Sequence, residues 1–113
     1  MTKYLISFDD DAMNFTPEEL SEVATAGHAV AQEAEDAGVW VFSGGLTNHA
    51  QASQVDPEGT VTNLPDTKDK RHIGGFAVVD VSSREEALMW AAKIAVACRC
   101  TQEVREFVPD DSF

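Results

Sequence analysis

Apolar and polar positions along the chain fall into two rhythms. Lys3 to Phe8, KYLISF, is a short apolar-leaning run containing Tyr, Ile and Phe, and it reads as a buried strand. A polar break, DDDAMNF, follows. The period then changes: Leu20, Val23, Ala24, Gly27, Val30, Ala31, Ala34 and Ala37 recur at helical spacing. Thr16 suits the N-cap of that helix, Pro17 suits its first position, and Glu19 completes a capping box with Thr16. Gly38 marks the end, so the helix is predicted to run to about Ala37. Its apolar stripe is rich in small residues, which predicts a close approach to a sheet. Gly27, costing roughly 1 kcal/mol against Ala in mid-helix, points to the closest packing there.

Val39 to Leu46, VWVFSGGL, reads as a second strand ending in a double glycine. Ala52 to Asp56 and Thr60 to Leu64 flank DPEG, where Pro57 and Gly59 suit a hairpin turn. Ile73 to Val81, IGGFAVVDV, is a strongly apolar strand. Ser82 or Ser83 can cap the next helix, REEALMWAAKIAVAC, whose Ala87, Leu88, Ala91, Ile94 and Ala95 again keep helical spacing. TQEVREFV closes the pattern as a strand, and Pro109 ends its pairing.

The order is β-α-β, a hairpin, then β-α-β within one domain spanning residues 1–113. This predicts an α+β fold of ferredoxin-like βαββαβ type with an extra hairpin. Two helices cover one face of such a sheet. Yet VWVFSG and FAVVDV carry apolar residues at successive positions, as if buried on both faces. A second copy laid sheet to sheet would supply the missing cover, so the expected assembly is a homodimer, a dimeric α+β barrel.

Composition narrows the partners. Eight Lys and Arg stand against 20 Asp and Glu, a formal net charge of -12. Nucleic-acid phosphates and anionic membranes would both be repelled, so neither is an expected partner. The opening MTKYLISFDDD turns acidic too soon for a signal peptide or a membrane span. Cys98 and Cys100 are too close in sequence to bridge each other readily. Free thiols and no export signal lead to the expectation of a cytoplasmic protein. A C-x-C pair without a second ligand pair does not make a metal site, and no metal or cofactor is expected.

Candidate chemistry rests mainly on histidines, which titrate near neutrality. His28 lies at the edge of the apolar stripe of the first helix, with Gln32 and Glu35 on the same flank. It reads either as a half-buried histidine with a structural hydrogen bond or as a general base in a cleft between helix and sheet. Asp9 and Asp10, at the carboxyl end of the first strand, are the carboxylates placed to orient it. His49 reads as an exposed loop histidine after Gly44 and Gly45. His72 precedes Gly74 and Gly75, which mark a bulge or close backbone approach and not a phosphate loop, because no lysine follows them. Lys68, Lys70 and Arg71 read as solvated residues able to attract an anion locally. No G-x-S-x-G, H-E-x-x-H or nucleotide fingerprint is present.

KRHIGGFAVVDVSSREEALMWAAKI, followed by EVREF, resembles the YCII-related proteins in their DGPF-domain branch. The branch pattern is matched by Lys3 to Ile6, His28 before Ala37-Gly38, Gly44-Gly45-Leu46, Ile73 to Phe76, Asp80-Val81, Glu86-Ala87, Trp90-Ala91 and Glu103 to Arg105. The name-giving V-T-D-G-P-F is rewritten as VTNLPD, Val61 to Asp66, with only Pro65 of the last four residues kept. Lys70 still falls where the branch lysine does, while Glu106 replaces a proline.

The resemblance implies a dimeric α+β barrel and a small cofactor-free enzyme with a pocket between helices and sheet. A histidine proposed as an active-site residue in the wider family carries over to His28 alone. The expectation is therefore a small-molecule-binding protein with His28 as acid/base, Asp9 or Asp10 orienting it, and Gly45, Lys70 and His72 at the rim. The alternative is a non-catalytic regulatory interaction module binding a protein partner, because some family members sit near or are fused to sigma-factor regulators.

Overall fold

The computed structural model describes residues 1–63 and 72–109. It is an α+β fold. Strands β1 (Thr2–Asp9), β2 (Trp40–Gly45), β5 (Ile73–Val81) and β6 (Glu103–Glu106) form an antiparallel sheet in the order β2-β5-β1-β6. Strands β3 (Ser53–Val55) and β4 (Val61–Asn63) make a separate two-stranded ribbon. Helices α1 (Pro17–Asp36) and α2 (Arg84–Cys98) pack on one face of the larger sheet. The predicted second hairpin strand ended at Leu64, which lies outside the described residues, as does Lys70.

Local signals set the element ends. The Thr16 hydroxyl accepts from the Glu19 N–H at 3.2 Å and the Glu19 carboxylate accepts from the Thr16 N–H at 3.4 Å, completing the capping box. Gly38, at φ 76, ends α1 where a left-handed residue is needed. Ser83 caps α2 by accepting from the Glu86 N–H. In the hairpin turn the Asp56 carboxylate accepts from the N–H groups of Glu58 and Thr60.

The core lies between helices and sheet. Tyr4 and Ile6 from β1 and Ala77, Val79 and Val81 from β5 alternate inward, meeting Ala34 of α1 and Ala87, Trp90, Ala91 and Ile94 of α2. Glu22 pairs with Arg99 and Glu33 with Lys93, so the helices run antiparallel. These exposed pairs fix orientation more than they stabilise.

Among the described residues no helix covers the other face of the sheet. Register places Leu5, Phe76 and Val78 there, all half-buried, with Phe42 60% exposed and its ring 5.8 Å from that of Phe76. The molecule is accordingly flat, 44 × 43 × 20 Å, with a radius of gyration of 15.7 Å against about 13 Å for a compact domain of this length.

Two details position the site. The pairing of β2 with β5 slips between Trp40 and Phe42, leaving Val41 as the extra residue of a bulge. Trp40 therefore faces the helices while Phe42 faces away. The pairing of β1 with β5 also slips, between Phe8 and Asp9, opposite Gly74. Among the described residues no helix is long and apolar enough to cross a membrane.

Candidate functional site

The small-residue stripe of α1 brings the helix down onto the sheet only near its C-terminal end, where Ala34 joins the core. Over Val23 to Ala31 a cavity of about 260 Å³ separates the two. Val23, Ala24, Gly27, His28, Val30 and Ala31 form its roof. Ile6 and Phe8 of β1, Trp40 and Ser43 of β2, and Ala77 of β5 form its floor, and Phe76 borders it although its ring lies with Phe42 on the outer face. Ile94, Cys98 and Gln102 close one end, and Met13, Gly44 and Gly45 line it elsewhere. The expectation of closest packing at Gly27 is corrected: a Cβ added there would meet nothing within 4 Å. The small residues of α1 leave room; they do not fill it.

Glycine shapes the floor as well. Gly75 sits opposite Phe8 in register, and an added Cβ would stand 2.5 Å from Cζ of that ring. The missing side chain lets the Phe8 ring lie across β5 as a wall of the cavity. Most of the lining is apolar. The polar exceptions are His28, Ser43, Cys98 and Gln102. Burial pushes the Cys98 thiol up from its ordinary value, helped by Cys100 nearby, so Cys98 offers a neutral thiol and not a thiolate.

His28 lines the cavity from α1 but is otherwise exposed. It is not the half-buried, hydrogen-bonded histidine that one reading of the sequence allowed; no hydrogen bond to its ring is seen among the described residues. Gln32, expected on its flank, donates instead to Asp36 at 2.9 Å. Gly45 lines the cavity as a wall residue. Asp9 ends β1 and is half-buried.

Asp10 is engaged elsewhere. Its Oδ2 accepts from the main-chain N–H of His49 at 2.7 Å and lies 2.7 Å from Nδ1 of the same residue. The Asp10 side chain is 11% exposed and that of His49 31%. His49 is thus no exposed loop histidine; the turn after β2 folds back onto the end of β1. Asn48 helps by capping this turn, accepting from the Ala50 N–H. The His72 ring stacks on that of His49, centroids 4.7 Å apart and planes 8° from parallel. The His72 carbonyl accepts from the Asp10 N–H at 2.7 Å. Nε2 of His72 is buried without a partner. His72 thus belongs to this cluster and is not among the residues lining the cavity.

The two hydrogen bonds from His49, main chain first and ring second, hold the Asp10 carboxyl below its ordinary value, against a smaller opposing effect of burial. Asp10 is therefore ionised at neutral pH and can only accept, so Nδ1 of His49 carries the shared hydrogen. The stabilisation from a lowered carboxyl is in place at neutral pH and is lost as the pH falls through the folded-state value.

The chain matches no protein-family model, and no match to it is found among curated proteins.

Chemically, the cavity can hold a small apolar body with an imidazole against it. The His49 cluster is a separate polar group beyond the same end of the sheet. Sequence reasoning missed His49 because its partner is 39 residues away. The one local hint was Asn48, a capping residue that tightens the turn directly before it.

Proposed function

We propose that this chain is a small-molecule-binding protein, active as a cofactor-independent acid/base enzyme, with its ligand between helices and sheet and His28 as the proton-transferring group. The observation that carries this is an apolar cavity of about 260 Å³ with one imidazole in its wall. An apolar cavity of about 150 Å³ takes a benzene ring, and drug-sized sites start near ~300 Å³. A compound of one or two fused rings with a single polar group fits between those limits.

A test is calorimetric titration with naphthol against the wild type and Gly27→Leu. The space above Gly27 is open, so the leucine side chain enters the cavity while favouring the helix. One-to-one binding in the wild type, weakened at least about tenfold (1.4 kcal/mol) in the variant, is expected. Equal binding by both would place the ligand elsewhere and remove the reading.

The same reading takes the assembly to be a homodimer, two ferredoxin-like subunits joined through their uncovered sheet faces as in the YCII-related barrels, in the cytoplasm. Phe42, 60% exposed beside Phe76, is the strongest support for that interface. Light scattering is expected to give twice the chain mass for the wild type and the single-chain mass for Phe42→Asp. A wild-type monomer at micromolar concentration would contradict it.

A second reading, an interaction module without turnover, is favoured by the hairpin. Val55 and Val61 pair across it, 65% and 57% exposed, on a ribbon whose residues are all exposed. A chain that binds naphthol nowhere would leave this reading standing.

A further inference from the structure

Asp10, His49 and His72 come from three separate segments: the end of β1, the turn after β2 and the residue before β5. Each is held by more than one contact. Asp10 receives both the main chain and the ring of His49 on a single oxygen. The His72 carbonyl takes the Asp10 N–H, and its ring covers the face of His49. A carboxylate on Nδ1 fixes both tautomer and ring orientation, and makes Nε2 the basic atom. This is the arrangement a general base needs, and it lies outside the cavity wall that holds His28.

Other chemistries fit less well. The lone pairs of imidazole lie in the ring plane. Two rings 8° from parallel and 4.7 Å apart cannot aim them at one ion. Among the described residues no group of three His, Cys, Asp or Glu side chains is placed to hold a metal. Acyl transfer needs free N–H donors for a developing oxyanion. Four nearby N–H groups are committed: His49 to Asp10, Ala50 to the Asn48 side chain, Gln51 to the Asn48 carbonyl, and Asp10 to His72. An elimination started by proton removal from carbon, in which the leaving group carries the charge away, needs neither a metal nor an oxyanion hole.

We infer that Asp10, His49 and His72 form a second acid/base site, in which Nε2 of His49 removes a proton from a small carbon acid that expels a leaving group in the same step. Asp10 and His72 are positioning residues. Asp10 holds the tautomer, and His72 keeps the imidazole in plane against its own ring.

Nitrobenzisoxazole is a probe that isolates this step. Nε2 takes the ring C–H hydrogen as a proton. The C–H electron pair becomes part of a nitrile, the N–O bond breaks, and the charge leaves on a coloured phenolate. The imidazolium then returns its proton to water. The wild type is expected to open the ring faster than an equal concentration of free imidazole. His49→Gln is expected to lower that rate about a hundredfold, within the usual range for a general base. Asp10→Asn is expected to lower it about tenfold and to move the ring hydrogen of neutral His49 off Nδ1, read by nitrogen-detected NMR, a change that a merely structural role would not produce. Each variant is compared at equal helix content by circular dichroism.

Nitrogen-detected NMR of the wild type supplies a test that needs no variant. At neutral pH the neutral form of His49 is expected to carry its hydrogen on Nδ1. A hydrogen on Nε2, or full activity in His49→Gln, would overturn the inference. Loss of activity in His28→Gln with none in His49→Gln would overturn it too, while leaving the cavity reading intact.

Discussion

Replacing Trp90 by alanine is expected to remove about 3–5 kcal/mol of folding stability. The indole is 3% exposed and belongs to the cluster that joins α2 to β1 and β5. Its loss leaves a void bounded by side chains held on a sheet, which cannot collapse inward. Domains of this kind have only about 5–15 kcal/mol in total, so the variant approaches the limit of folding. The midpoint of thermal unfolding is expected to fall by at least about 12 °C, at ~4 °C per kcal/mol. Trp90→Phe provides the contrast. Nε1 of Trp90 is buried without a hydrogen-bond partner, and a buried orphan donor costs about 1–3 kcal/mol. Phenylalanine keeps most of the apolar body and removes that donor, so it is expected to cost far less than alanine. Urea unfolding followed by circular dichroism measures both. An alanine variant within 1 kcal/mol of the wild type would mean that α2 does not dock on this sheet.

Gly74→Ala is the second substitution with a large expected effect. An added Cβ would stand 2.7 Å from the Asp10 Cα, 3.0 Å from the Asp10 N and 3.2 Å from the Asp9 O. All three are main-chain atoms, so no side chain can swing aside. The end of β1 must move, and overpacking of this kind costs about 1–3 kcal/mol. The movement also pulls Asp10 away from the His72 carbonyl and from His49. The variant is therefore expected to lose stability and to release the His49 ring together. The first is read by urea unfolding, the second by the His49 ring signals in NMR. A variant that melts with the wild type would show that β1 and β5 do not approach as closely as described.

Much of this architecture is legible in the chain because local signals agree with one another. Ile73–Val81 is a strand at the boundaries its apolar run predicts. Thr16, Pro17, Glu19 and Gly38 fix both ends of α1 through short-range bonds that depend on little else. The bulge at Val41 was not legible, since VWVF alternates no differently from a regular strand. That bulge decides that Trp40 meets the cavity while Phe42 meets solvent. Nor could the stripe of α1 say what it faces. Small residues at helical spacing suit a tight contact and an open roof equally, and Gly27 turned out to stand over space.

The candidate site divides the same way. His28 is placed by helical periodicity, which carried it to the cavity edge. Asp10 was legible as a strand-end carboxylate, but its partner was not. Which histidine it holds depends on where the turn after β2 lands, and that is a property of the sheet order, β2 being separated from β1 by β5. Gly74 and Gly75 gave the right kind of signal, a bulge and close approach, without saying to what. One accommodates the backbone of Asp10 and the other the ring of Phe8.

The most direct test of the cavity reading is a methyl- and imidazole-detected NMR titration of the intact chain with naphthol. Shift changes are expected to concentrate on the methyls of Ile6, Val23, Val30 and Ile94 and on the His28 ring, the groups that bound the space between α1 and the sheet. Changes that fall instead on Val78 and the outer sheet face, or on Val55 and Val61 of the hairpin, would contradict it.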